Sequence, residues 1–244
     1  MRKLKLQVQT TADGYMAGPN GEMDWMRFPW TDDINAYIEA LTAPVDCMVL
    51  GRKLAEGFIP HWASLPEGED KASIDWMNET PKVVISDSLT ESPWDNAVVA
   101  GGDLTEAVNA LKARPGGDIV VYGGSTLVSN LIAEGLVDEL HLFVNPTAIG
   151  TGLPVFPATG ANQPFRLVGA HPFECGITAM HYEPERSAPR AAPDADRSES
   201  GDSGAAHRAQ DGPPRPTQGS SGVGTAERPV SGTGLSGGEL PWWS

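Results

Sequence analysis

Polar and apolar residues alternate at the start of the chain. Leu4, Leu6 and Val8 fall on one side and Lys5, Gln7 and Gln9 on the other, which predicts a half-buried strand. Residues 12–30 follow as a long loop rich in Gly and Pro. Thr31 is placed to N-cap a helix through Leu41, with Asp32 and Asp33 in its first turn. Residues 45–50 read as a strand, Gly51 onward as a short helix, and 70–78 as a further helix. Strands at 82–86 and 96–100 precede a helix at 104–112. An apolar strand at 119–122 runs through Gly123 and Gly124 into a helix at 127–133. A strand at 139–144 and two near 165–171 and 176–182 complete the pattern. Strand and helix alternate, so the fold class is α/β: a mostly parallel mixed sheet with helices on both faces. The short connection at 174–176 predicts an antiparallel C-terminal end.

The pattern stops near Glu185. Residues 185–244 hold 10 Gly, 7 Pro and 9 Ser and no lysine. Such a segment buries too little apolar surface to offset its ordering entropy, so a disordered tail is expected there, beside one domain over 1–184.

Charge narrows the choice of partners. Residues 1–184 carry 11 Lys+Arg against 24 Asp+Glu, a net −13. A surface this acidic repels nucleic acid and anionic membranes, so neither is expected as a partner. No apolar run is long enough to span a bilayer. The alternating N-terminus reads as a strand and not as a signal peptide, and a cytoplasmic protein is expected. Cys47 and Cys175 are too few for a disulfide framework or a cysteine-rich zinc site and read as buried thiols. The five histidines show no ligand spacing on one helix, and no metal site is expected.

Three segments carry candidate chemistry. The first is Tyr122-Gly123-Gly124-Ser125-Thr126-Leu127, a strand entering a helix through two glycines. Without Cβ atoms a ligand approaches the main chain closely, and the helix N-terminus favours an anion. The second is Leu50-Gly51-Arg52-Lys53, another strand, glycine and helix start, with two adjacent cations at the end of a helix that disfavours them unless an anion is present. Two such sites on one sheet suit a ligand with more than one phosphate lying across the strand ends. The loop after Ile85, with Ser86, leaves a strand in the same way. The third segment is the long first loop, Ala12-Asp13-Gly14-Tyr15 through Asp24-Trp25, which offers carboxylates, aromatics and glycine hinges suited to a substrate-facing lid.

In this order, with Leu136-Val137-Asp138-Glu139-Leu140-His141-Leu142 after them, the three segments resemble the dihydrofolate reductase-like superfamily. The likeness is greatest to the C-terminal reductase domain of the bifunctional riboflavin-biosynthesis deaminase/reductase, and it covers about residues 3–183. The resemblance implies a dihydrofolate reductase-like three-layer fold, NADPH as cofactor, a small heterocyclic or carbonyl/imine substrate, and a homodimer. By position it implies that Gly51, Arg52 and Lys53 serve the adenosine-phosphate side and Ser86 the adenosine. Gly123, Gly124, Ser125, Thr126 and Leu127 would cradle the pyrophosphate. Ala12, Gly14, Tyr15, Asp24, Trp25 and Tyr122 would face the substrate, with Asp13 the catalytic candidate that orients the substrate or a proton-donating water. Tyr15 stands where the riboflavin enzymes usually carry a basic residue, and Tyr122 where they usually carry glutamate. Both changes fall on the substrate side. The deaminase zinc signature cannot be assembled from two distant cysteines, so a stand-alone reductase is expected. A dihydrofolate reductase-type activity, which needs a pterin-binding carboxylate on the first helix, would draw on Asp32, Asp33 or Glu39. A non-catalytic NADP-binding module is the remaining alternative.

Overall fold

The structure is a computed structural model of the chain and describes residues 1–156 and 162–185. The expected tail lies outside the described residues from position 186 onward. In chain order the elements are β1 (Leu4–Thr11), β2 (Tyr15–Ala17), α1 (Asp32–Thr42), β3 (Val45–Gly51), α2 (Arg52–Ala63), α3 (Lys71–Glu79), β4 (Lys82–Ile85) and β5 (Ala97–Ala100). They continue with α4 (Leu104–Ala113), β6 (Asp118–Gly123), α5 (Ser125–Ala133), β7 (Glu139–Asn145), β8 (Leu153–Pro154), β9 (Phe165–Pro172) and β10 (Thr178–Pro184). Eight strands form one sheet in the order β5-β4-β3-β6-β1-β7-β10-β9. It is parallel from β5 through β7. β10 then runs antiparallel to β7, and β9 to β10. The α/β class, the mixed sheet and its antiparallel end are therefore as the residue pattern predicts. The short strands β2 and β8 pair with each other outside this sheet and divide the stretch expected to be one loop.

Both faces are covered. Leu4, Leu6 and Val8 of β1 pack with Val49 and Val121 against Val108 and Leu111 of α4 and Val128 and Leu131 of α5. On the other face Met48, Leu50, Val120 and Tyr122 meet Leu54, Phe58 and Trp62 of α2. Farther along the sheet Phe143 and Ala179 meet Ile34 and Leu41 of α1. Each fully buried side chain of this kind contributes about 1.5–3 kcal/mol. Cys47 lies in the core, Cys175 is half-buried, and both are free thiols.

β1 differs from expectation. Its polar side is also largely hidden: Lys5 is 7% exposed and Gln7 6%, while Gln9 is half-buried. The reason is position. β1 lies in the middle of the sheet between β6 and β7, where helices cover both faces. Buried charge needs partners, and Lys5 has them. Its Nζ lies 2.9 Å from Asp118 Oδ2 and 3.9 Å from Glu139 Oε2, and it donates to the carbonyl of Leu41. Glu139 also takes Lys3 at 2.5 Å and His141 Nε2 at 3.4 Å.

Among the described residues, Glu139, His141 and His181 bring three ligand atoms within 4.8 Å of one another. The two imidazoles stack in nearly parallel planes, 4.2 Å apart at 17°. Their in-plane lone pairs run side by side and do not converge on one point, and two lysines already balance the carboxylate. The group is therefore an ion-pair network.

This network makes stability depend on pH. The hydrogen bond from His141, aided by Lys3 and by the charge of Lys5, holds the Glu139 carboxyl at about 2 against the cost of burial. Its stabilisation is complete above about pH 4.3, the ordinary glutamate value, and is lost as pH falls towards 2. Burial, and then the neighbouring His141, hold His181 below its ordinary value. The unfolded chain takes that proton first, so stability also falls as pH drops through the histidine range. Glu139→Gln is predicted to cost about 1–3 kcal/mol at pH 7, because it removes the charge that faces Lys3, Lys5 and His141 while Asp118 still pairs with Lys5. It should also flatten the dependence of the urea midpoint on pH below pH 5.

Candidate active site

A cleft opens where β1 and β6 separate. Their pairing covers only Leu4–Leu6 against Ile119–Val121. Beyond it, Gln7 and Gln9 of β1 form one side, and Tyr122, Gly123, Gly124 and Ser125 the other. The first loop adds Met16, Ala17, Met23 and Trp30, while Leu54 and Leu153 complete the lining. The cleft holds about 610 Å³, its open mouth included.

At one end of this cleft two helices begin side by side. β3 pairs with β6 so that Leu50 lies opposite Gly123, and with β4 so that Gly51 lies opposite Ile85. Gly51 is the N-cap of α2 and Gly124 the N-cap of α5. Neither helix has a side-chain cap or an acidic residue in its first turn. The first helical hydrogen bond of α5 runs from Val128 N–H to the Gly124 carbonyl, 2.9 Å, so the N–H groups of Ser125, Thr126 and Leu127 have no partner within the helix. Each helix start carries about half a positive charge, and two such ends brought together favour an anion between them.

The two glycines stand where the turns come together. A Cβ on Gly124 would fall 3.4 Å from the Gly51 Cα, and one on Gly51 would fall 3.6 Å from the Gly124 Cα. Gly124 also has φ +88°, a conformation that side chains disfavour. The two turns meet backbone to backbone. Leu127 is buried in the core, so only its main chain faces a ligand, and Thr126 is exposed. These features fit a diphosphate.

The cations lie beside this cradle without entering the cleft lining. Arg52 Nη1 lies 2.5 Å from Glu56 Oε1, one turn along its own helix. Such exposed pairs are weak and re-form readily on a stronger anion. Lys53 is exposed. Ser86 follows β4 at the same edge of the sheet, but its Oγ accepts from the N–H groups of Ser88 and Leu89 at 3.2 and 3.1 Å. Its hydroxyl shapes a turn.

The first loop is built differently from expectation. Asp13 lies outside the cleft lining. Its carboxylate accepts from Gly150 N–H at 2.7 Å and from Ile149 N–H at 3.2 Å. Hydrogen bonding from Thr11 and then Gly150 holds it below the usual carboxylate range, so it is anionic at neutral pH. Asp13 ties the first loop to the segment that leads into β8. Gly14, at φ +88°, closes a turn onto the Thr11 carbonyl, and Tyr15 donates its N–H to Thr11 Oγ1 at 3.0 Å. Ala12, Gly14, Tyr15, Asp24 and Trp25 do not line the cleft, and Trp25 is buried. Met16, Met23 and Trp30 of the same loop line it instead. Tyr122 does line it, stacked on Phe58 at 6.0 Å, and burial pushes its phenol up, so it stays neutral. Asp32, Asp33 and Glu39 do not reach the cleft. Asp33 accepts from Glu174 N–H at 2.9 Å, a contact that fixes the turn between β9 and β10.

The geometry at the strand ends is that of a mixed α/β domain with two helix starts beside one cleft. The family model of the RibD C-terminal domain matches residues 2–179, and the chain belongs to that family. The uncharacterized protein YyaP of Bacillus subtilis strain 168 is 32% identical over 192 residues, which span 74% of this chain and 94% of that protein. A crystal structure of a putative riboflavin biosynthesis protein from Shewanella sp. PV-4 has the same fold, with a TM-score of 0.61 and 24% identity over 76% of this chain and all of that one. A Thermotoga maritima diaminohydroxyphosphoribosylaminopyrimidine deaminase/5-amino-6-(5-phosphoribosylamino)uracil reductase has a TM-score of 0.55 at 19% identity. The match spans 75% of this chain and 56% of that larger one.

No motif in the sequence marks Gln7 and Gln9. The signal for them is weak but present: two amides on a strand that the sheet order places at its centre. A methyl group at Gly124 tests the cradle. Gly124→Ala is predicted to cost about 1–3 kcal/mol through its strained φ and to weaken binding of ADP, a diphosphate probe, at least tenfold. Urea denaturation and titration calorimetry measure the two effects separately.

Proposed function

We propose that the chain is an NADPH-dependent reductase that delivers hydride to a small heterocyclic or carbonyl/imine substrate, and that it resembles the 5-amino-6-(5-phosphoribosylamino)uracil reductases. The observation that carries this reading is the backbone contact between Gly51 and Gly124, with two uncapped helix starts around it. NADPH, when bound, supplies the hydride, and the protein supplies position. The amides of Ser125, Thr126 and Leu127 hold the diphosphate. Arg52 and Lys53 hold the additional phosphate that separates NADPH from NADH. Leu54 and Met16 flank Gly123 within van der Waals distance of where its Cβ would stand and keep that stretch of the cleft apolar. Asp13 is a positioning residue: it fixes the loop whose Met16, Met23 and Trp30 line the site.

Among the described residues, no carboxylic acid or histidine lines the cleft. Proton delivery then falls to water, and the same observation supports a second reading, a non-catalytic NADP-binding module. NADPH oxidation with a substrate panel separates the two. Among the described residues, no helix is long and apolar enough to cross a membrane. Leu167 and Val168 stand exposed on the edge strand β9, which supports a homodimer.

Thermal denaturation tests the cofactor. A ligand at a hundred times its Kd adds about 2.7 kcal/mol, or about 5–10 °C in Tm for a domain of this size. NADPH should produce this shift at concentrations where NADH gives much less, and Arg52→Ala should narrow the difference. No shift with either nucleotide would sink the reading.

A further inference from the structure

The side of the cleft opposite the cradle carries two side-chain amides. Gln7 is 6% exposed, lines the cleft, and its Oε1 is buried without a hydrogen-bond partner. Its side-chain amide makes no hydrogen bond to any described residue. Gln9 is two residues on, on the same face of β1, about 6–7 Å along the strand. Its Oε1 accepts from Asn145 Nδ2 at 2.9 Å, and Asn145 is in turn fixed by the carbonyls of Thr10 and Phe143. The Gln9 amide is therefore held in one orientation, with its Nε2 unpartnered among the described residues.

A buried acceptor without a partner costs about 1–3 kcal/mol. Lys5, on the same face, has every partner it needs, so Gln7 is an exception within β1. Charge adds a second constraint. No Lys or Arg lines the cleft, and Lys5 is committed to Asp118 and Glu139. A phosphate on the substrate would find no cation there.

We propose that Gln7 and Gln9 select an uncharged substrate that presents a flat amide edge, an N–H beside a C=O, and carries no phosphate. Gln7 offers a matching acceptor and donor, and Gln9 adds a fixed donor. This rests on the reductase reading above and deepens it, since the substrate would lie on the β1 side while the dinucleotide occupies the cradle.

Titration calorimetry on the full chain tests it. The probes are 5,6-diaminouracil, a neutral ring with amide edges, 5-amino-6-(5-phosphoribosylamino)uracil, the same ring with a phosphate, and NADPH. Each is titrated alone, and both rings again at saturating NADPH. The wild type should bind the neutral ring more tightly than the phosphorylated one. Gln7→Met should weaken that ring at least tenfold and leave NADPH within twofold. The free Gln7→Met protein should melt at the same temperature or higher, because its orphaned acceptor is gone. Gln9→Leu repeats the test from the second amide, with the same loss expected. A wild type that ignores the neutral ring, or prefers the phosphorylated one, overturns the proposal. So does a Gln7→Met protein that loses NADPH and keeps the ring, since the amide being read would then be that of the nicotinamide. Failure of the wild type to bind NADPH counts against the reductase reading alone, because the rings are also titrated without it.

Discussion

Gly51 and Gly124 touch through their main chains, and the rest of the site is arranged around that contact. β3 lies between β4 and β6 in a register that brings both glycines to the same edge of the sheet. Each glycine then starts a helix, so two partial positive charges lie at close range with no acidic side chain to neutralise them. A Cβ at either glycine would stand in van der Waals contact with the other turn, and at Gly124 the φ of +88° disfavours any side chain. The packing of α2 and α5 on opposite faces fixes where the helices point, and the positive φ of Gly124 turns the chain into α5 beside the Gly51 turn.

The same sheet shows two ways of burying polar groups. At one end of β1, Lys5 is matched by Asp118 and Glu139, and the stacked histidines complete a network that stabilises the centre of the sheet. At the other end, β1 has parted from β6 and the side-chain amide of Gln7 has no partner among the described residues. The orphaned groups of Trp25 and His181 lie away from the cleft, whereas that of Gln7 lines it. Local stability is given up there in return for recognition, as in many binding sites.

Much of this was legible in the residues. The period of apolar positions gave every strand of the main sheet and all five helices to within a few residues, because most of those elements turn an apolar stripe towards the core. The two glycine turns were legible because Gly next to a helix start has few other uses. Burial set by neighbours was not legible. The alternation in 4–9 reads as a half-buried strand, and only the placement of β1 between β6 and β7 shows that Lys5 and Gln7 are inside. The hydrogen bonding of the first loop was not legible for a related reason. Asp13, Tyr15 and Trp25 are the chemically attractive residues, but backbone amides at 149–150 take the Asp13 carboxylate and the core takes Trp25. The less conspicuous Met16, Met23 and Trp30 line the cleft instead. Glu139, His141 and His181 come together only through strand pairing across some 40 residues of sequence, which no local spacing reveals.

The central claim is that two glycine-capped helix starts together hold one dinucleotide. Amide chemical-shift mapping by NMR, with NADPH added to the isotope-labelled protein, tests it at the atoms concerned. The account predicts that the largest perturbations fall together on Gly51–Lys53 and Gly124–Leu127, saturating at one equivalent. Shifts confined to one of the two turns, or centred elsewhere on the sheet, would contradict it.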